Sequence, residues 1–229
     1  MKEIATDVYE VSGEIRMTAG WYFPLRTVIV RLEDGALWVH SPVRLTDELA
    51  ESVNSLGPVR TIVAPNNLHH VFAGKWKSRW PDAELIGAKG LVKKRPDLQF
   101  DGTLDQESVQ FPGIERVFLA GAPTAGETVF FHRASKTFIC TDLIFNLDGS
   151  NTKGWLTGII LRLASAYGGP AQSRLVRLAT KDRARAGESV AKMLEWPFER
   201  IAMCHGHVVE ENAQDTLRHA CRWMLAGAT

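Results

Sequence analysis

Short apolar runs rich in Val and Ile fill the first third of the chain, and they predict strands. One covers Arg26 to Leu32. Glu33-Asp34-Gly35 follows, then Ala36 to Val39. An Asp-Gly pair between two apolar runs predicts a hairpin, because glycine tolerates the positive φ of a tight turn. Val8–Val11 and Ile15–Thr18 read as shorter strands of the same sheet.

Beyond residue 40 the pattern changes. Ser41-Pro42 breaks the strand, and Thr46 is placed to cap a helix over Asp47–Ser55, whose first acids suit its positive end. Gly57-Pro58 stops it. Val59–Ala64 reads as a buried strand ended by Pro65-Asn66-Asn67. A helix over Val71–Trp80, a strand over Glu84–Gly87 and a short basic helix over Lys89–Arg95 follow. Strands return at Arg116–Ala120, Thr128–His132 and Thr137–Thr141. The remainder predicts helices at Trp155–Tyr167, Arg174–Ala179 and Arg183–Trp196, a strand at Arg200–Cys204, and a helix over Glu211–Leu225. Strand clusters alternating with helices, with no repeat and no low-complexity linker, indicate one α/β domain over residues 1–229 with layered sheets.

Composition narrows the function classes. The 229 residues are 45% hydrophobic and 23% charged, ordinary for a globular domain, which excludes disorder and collagen-like structure. Twenty-seven basic residues against 26 acidic leave a net charge of +1. No global basic field exists to hold nucleic acid or an anionic membrane. The N-terminus has charges and no apolar core, so it does not read as a signal peptide. The most apolar stretch, Trp155–Tyr167, would reach only about 20 Å as a helix, against a bilayer core of about 30 Å. Cys140, Cys204 and Cys221 are odd in number and unclustered, which points to reduced thiols in the cytoplasm.

The placement of the seven histidines carries the chemistry. His40 follows the strand ending at Val39. His69 and His70 follow Val59–Ala64 across the Pro-Asn-Asn turn. Asp142 follows the strand ending at Thr141, and His205 and His207 follow Arg200–Cys204. Four strand ends thus carry His or Asp. In sheet-based folds ligand sites gather at strand ends, and imidazole with carboxylate suits zinc, iron or manganese.

Asn66-Asn67-Leu68-His69-His70, Thr141-Asp142 and Cys204-His205-Gly206 stand in an order and spacing that resembles the metallo-β-lactamase superfamily. Leu37-Trp38-Val39-His40-Ser41-Pro42 and Phe130-Phe131-His132-Arg133 look like a divergent branch of it. The resemblance covers roughly residues 8 to 225. It implies a four-layer αβ/βα sandwich of two mixed β-sheets flanked by helices, with one or two metals at one edge of the sheets. Members hydrolyse lactams, thioesters, phosphodiesters and lactones, and some are oxidoreductases.

The departures are informative. Where the family has His-x-His-x-Asp-His, this chain has Pro65-Asn66-Asn67-Leu68-His69-His70. Pro65 and Asn67 replace the first two histidines, and His69 replaces the Asp. Gly121 to Gly126 holds no His where the family has one. The histidines of the family's first metal site are therefore missing. The four positions touching its second site keep donors: His69, His70, Asp142 and His205. The resemblance implies one divalent ion, zinc first, with iron or manganese as alternatives. His207 and His40 are the candidates for moving protons or supporting a ligand ring.

Bland alternatives stand beside these. Against the favoured ligand reading, the alternative for His69 and His70 is cap or surface histidines, for Asp142 a loop cap, and for His205 a core histidine. His132 reads as structural, His219 as a surface helix residue, and Cys140 and Cys204 as small core residues. Trp155–Leu163 is a core helix, a lid flanked by Gly154 and Gly168-Gly169, or a homodimer face. Four protein ligands would close a tetrahedral zinc shell, which is the hallmark of a structural site. The expectation is a metal-dependent hydrolase of a small ester, thioester, lactone or phosphodiester. The alternative is a non-catalytic relative that binds a metabolite or a structural metal.

Overall fold

The structure is a computed structural model that describes residues 1–17, 21–152, 155–164 and 166–227. The Thr18 end of the second expected strand, Gly154, and Ser165 of the expected Trp155–Tyr167 helix lie outside these.

Seven strands form the first sheet, in chain order: β1 (Lys2–Ala5), β2 (Val8–Arg16), β3 (Tyr22–Arg31), β4 (Leu37–His40), β5 (Val59–Ala64), β6 (Glu84–Gly87) and β7 (Gly102–Thr103). The second sheet contains β8 (Ile114–Phe118), β9 (Thr128–His132), β10 (Thr137–Cys140) and β13 (Arg200–Met203), in the order β13-β10-β9-β8. A two-stranded ribbon pairs β11 (Phe145–Leu147) with β12 (Gly169–Ala171). The Asp-Gly hairpin forms as expected, with β3 antiparallel to β4 and Gly35 at φ 82°.

Period-two alternation sorts the apolar residues into three layers. Between the sheets lie Val28, Val30, Trp38, Val63, Phe130, Ile139 and Ala202. Their neighbours Ile29, Leu37, Val39 and Ile62 face outward, against α1 (Asp47–Leu56), α2 (Ala73–Arg79) and α3 (Lys89–Lys94). On the other side Phe131, Phe138, Ile201 and Met203 pack beneath α4 (Trp155–Leu163), α5 (Arg174–Ala179), α6 (Arg183–Met193), α7 (Ala213–Ala220) and α8 (Arg222–Leu225). The result is a four-layer αβ/βα sandwich. Among the described residues no helix is long and apolar enough to cross a membrane, and all three cysteines are free and buried.

Several boundaries differ from the sequence expectation. The two short N-terminal strands are one nine-residue β2, because pairing with β3 runs unbroken from Val8 to Arg16. β8 starts two residues earlier, at Ile114. The helix expected over Glu211–Leu225 breaks at Cys221, where the next helix begins. α4 ends at Leu163, and Tyr167 bridges to Leu147 instead of extending it. The sequence reading missed β1, β7, β11 and β12, which are short or lack an apolar run.

Candidate metal centre

β4 runs parallel to β5, and β10 runs parallel to β13. Parallel pairing brings the C-terminal ends of each pair together. The loops leaving those ends carry Ser41, His69, Asp142 and His205.

Each loop is shaped by its own hydrogen bonds. After β5, Asn66 Oδ1 accepts from the backbone N–H groups of Leu68 and His69, both at 2.8 Å, and folds the turn that presents His69. The same side chain reaches across with Nδ2, donating to Thr141 Oγ1 at 2.9 Å and Asp142 Oδ2 at 2.6 Å. After β13, Gly206 takes φ 98°, and a Cβ there would lie 1.9 Å from the Asn146 carbonyl oxygen. Only glycine fits that approach. After β10, the backbone N–H groups of Thr141 and Asp142 donate to buried Glu127, at 2.7 and 3.0 Å.

His69, Asp142 and His205 converge. The two Nε2 atoms are 3.1 Å apart. His205 Nε2 is 3.2 Å from Asp142 Oδ1, and His69 Nε2 is 3.5 Å from Asp142 Oδ2. The outer nitrogens are held elsewhere: His69 Nδ1 by Ser41 Oγ and His205 Nδ1 by the Pro24 carbonyl, both at 2.7 Å. A carbonyl only accepts, so His205 Nδ1 carries the hydrogen and Nε2 of the neutral ring presents a lone pair. The His205 ring packs against both Phe23 and Phe145, with centroids 4.3 and 4.9 Å away.

This donor set fits a divalent ion. Two ligands about 2.0–2.1 Å from one zinc at a tetrahedral angle stand about 3.4 Å apart. The imidazole nitrogens, 3.1 Å apart, and the 3.2 and 3.5 Å from them to the two separate oxygens of Asp142 are close to that length.

The electrostatics favour a cation at this point. Burial opposes a charge on His69, yet the Asp142 carboxylate outweighs it and holds its pKa well above the usual histidine value. Burial opposes the Asp142 charge too, but the imidazoles of His69 and His205 keep it well below the carboxylate range. Burial lowers His205. Burial and the Asp142 charge push Glu127 up, to about 7. A positive charge among these groups therefore faces the Asp142 carboxylate, with Glu127 behind it.

The other expected residues lie elsewhere. His70 does not join the three, since adjacent residues in the turn diverge; its Nδ1 accepts from Arg95 Nη1 at 2.9 Å. Burial, with Lys94 and Arg95 nearby, lowers its pKa to about 4. His40 is fully buried, stacked on Trp38 at 5.6 Å, with Nδ1 3.9 Å from Cys204 Sγ. Its ring points into the layer between the sheets because it continues the inward alternation of Trp38. His207 is turned to the surface, where Ser150 and Asp148 take its Nε2; Gly206 between them lets His205 and His207 face apart. His132 is buried and bonded to Ser135 Oγ at 2.7 Å, and His219 is exposed.

Sequence reasoning passed over Ser41, Asn66 and Glu127 as parts of the site. Asn66 was visible only as a turn residue. Glu127 had one signal, an acid directly before the apolar strand Thr128–His132.

A cavity of about 320 Å³ opens onto the three donors. Phe23, Leu25, Leu68 and Phe72 give it apolar walls, and His70 and Lys94 also line it. A larger cavity of about 550 Å³ flanks the β2–β3 hairpin on residues of the opposite parity, such as Glu14, Tyr22 and Arg26, and touches none of the three.

Solved structures share this architecture. A metallo-β-lactamase from Hirschia baltica is 11% identical, with 97% of this chain and 96% of that one covered at a TM-score of 0.66. The chain has the metallo-β-lactamase fold. FIM-1 from Pseudomonas aeruginosa, solved in a mono-zinc form, is 14% identical, with 99% and 94% covered and a TM-score of 0.64. A metallo-β-lactamase from Pontibacter korlensis is 15% identical, with 98% and 97% covered and a TM-score of 0.64. A family model described as a domain of unknown function, DUF4336, matches residues 12–92. No curated protein matches the chain by sequence.

Proposed function

We propose that the protein is a metal-dependent hydrolase with a single ion held by His69, Asp142 and His205. The separation of these donors, each within 3.5 Å of the next, supports this reading most directly. Three protein donors in place of four leave one position of a tetrahedral shell open, which is the arrangement of catalytic zinc sites. A divalent ion supplies Lewis acidity toward a carbonyl or phosphoryl oxygen and acidifies water.

The chain's own residues do the rest. Ser41 and the Pro24 carbonyl fix the imidazole rings, so their Nε2 atoms need no reorganisation to face an ion. Asn66 holds one carboxylate oxygen of Asp142 in place. Phe23, Leu25, Leu68 and Phe72 exclude water and receive the apolar part of a small ester, thioester, lactone or phosphodiester. His70 lines the cavity as a neutral imidazole. It takes the substrate-facing role that His40 and His207, which do not line this cavity, cannot fill. Zinc is the first choice of metal, with iron and manganese compatible with the same donors.

The test is turnover of general ester, thioester and phosphodiester substrates by protein loaded with zinc, manganese or iron. His205→Ala abolishes turnover while the fold survives if the reading is right. Absence of turnover with every metal and substrate class leaves the metabolite-binding alternative in its place.

A further inference from the structure

The three most exposed large apolar side chains among the described residues are Leu178, Leu175 and Leu163, at 74%, 69% and 66%. Ile159 adds a fourth at 42%, and all four come from α4 and α5. Ile159 and Leu163 are four apart and share a face of α4; Leu175 and Leu178 are three apart on α5. The helices abut, since Arg174 N donates to the Ala164 carbonyl at 2.8 Å. Both are anchored from beneath, with Leu161 and Val176 in the core under the second sheet. The exposed leucines are therefore the outward side of docked helices.

The stretch of chain that carries them is one-sided in charge. Residues 155–185 contain six basic side chains (Arg162, Arg174, Arg177, Lys181, Arg183, Arg185) and one acid, Asp182. All six are exposed. That stretch carries +5 in a chain of +1, so the remainder carries −4. Asp182 is already engaged as the cap of α6, accepting from Arg185 N at 3.1 Å.

We propose that the α4–α5 face docks on an anionic phospholipid surface, with the leucines entering the interface and the arginines meeting the headgroups. An exposed apolar face on helices that also carry exposed arginines, here Arg162, Arg174 and Arg177, is the composition of an element that lies on a membrane without crossing it. A second copy of the chain fits poorly, because a two-fold dimer sets a patch against itself. Here that would oppose Arg162, Arg174 and Arg177 to the same three arginines of the second copy. The overall charge and the length of apolar runs both argue against membrane association at the level of sequence. Neither speaks to a local cationic face of this kind.

The test is co-sedimentation of the full chain with phosphatidylcholine vesicles, with and without phosphatidylglycerol. The expected result is at least about tenfold stronger partitioning onto the anionic vesicles. It should weaken as ionic strength rises from about 0.1 M to about 1 M and the screening length shrinks from about 10 to about 3 Å. The triple variant Leu163→Ser, Leu175→Ser, Leu178→Ser should lose partitioning with an unchanged melting temperature. Three results overturn the proposal: no partitioning at low salt, equal partitioning onto neutral vesicles, or full retention in a folded triple variant. Sedimentation equilibrium showing a dimer that the triple variant dissociates would overturn it too, by assigning the face to self-association.

Discussion

Nε2 of His69 stands 3.1 Å from Nε2 of His205, while the outer nitrogen of each ring is already engaged, by Ser41 and by the Pro24 carbonyl. Because His205 Nε2 is the bare nitrogen of its ring, the hydrogen between the two rings sits on His69 Nε2, and the Asp142 carboxylate raises the pKa of His69 against the opposing effect of burial. An ion entering between the rings must displace that proton. Calorimetric titration with zinc in buffers of different ionisation enthalpy should report about one proton released per ion. Metal affinity should rise with pH until pH passes the raised pKa of His69. Binding with no proton release would contradict this picture.

Ser41 acts on the ion only through the His69 ring. Ser41→Ala removes the hydrogen bond to Nδ1 and should lower metal affinity by about 10–100-fold. Competition against a chromophoric chelator measures this directly. An unchanged affinity would show that the turn around Asn66 alone orients the ring.

Glu127 closes two backbone N–H groups behind Asp142. Glu127→Ala leaves both buried and unpaired, at a cost of about 1–3 kcal/mol each. Glu127→Gln keeps a carbonyl oxygen there and should cost less. The order of the two denaturant midpoints checks the assignment; equal midpoints would contradict it.

His70 links the cavity to acid stability. Its folded pKa, about 4, lies below the unfolded value of 6.5. The unfolded chain therefore binds a proton that the folded chain refuses. The contribution is complete above pH 6.5 and is lost as pH falls toward 4. His70→Gln should flatten the fall in melting temperature across that window. An identical profile in the variant would place the acid sensitivity on other groups.

Much of this architecture was legible in local sequence. Val59–Ala64, Glu84–Gly87, Thr128–His132 and Arg174–Ala179 form where their patterns predict, because apolar runs bounded by Pro, Gly or a cap leave few alternatives. The site was legible where a family motif persisted, at His69, Asp142 and His205. His70, His40 and His207 do not join that group, because closeness in sequence to a strand end does not set the direction of a side chain. Gly206 separates His205 from His207, and the inward alternation of β4 buries His40. Ser41, Asn66 and Glu127 were invisible as parts of the site because their roles consist of hydrogen bonds between loops far apart in the chain, as from Asn66 to Asp142.

The proposed site rests on three side chains from three separate loops sharing one ion. Elemental analysis of protein purified without added metal, in wild type and in Asp142→Ala, His205→Ala and His70→Ala, tests it most directly. The expected result is about one ion per chain in wild type, near-complete loss in Asp142→Ala and His205→Ala, and retention in His70→Ala. A metal-free wild type that also fails to take up added zinc, or metal that survives removal of Asp142, would contradict it.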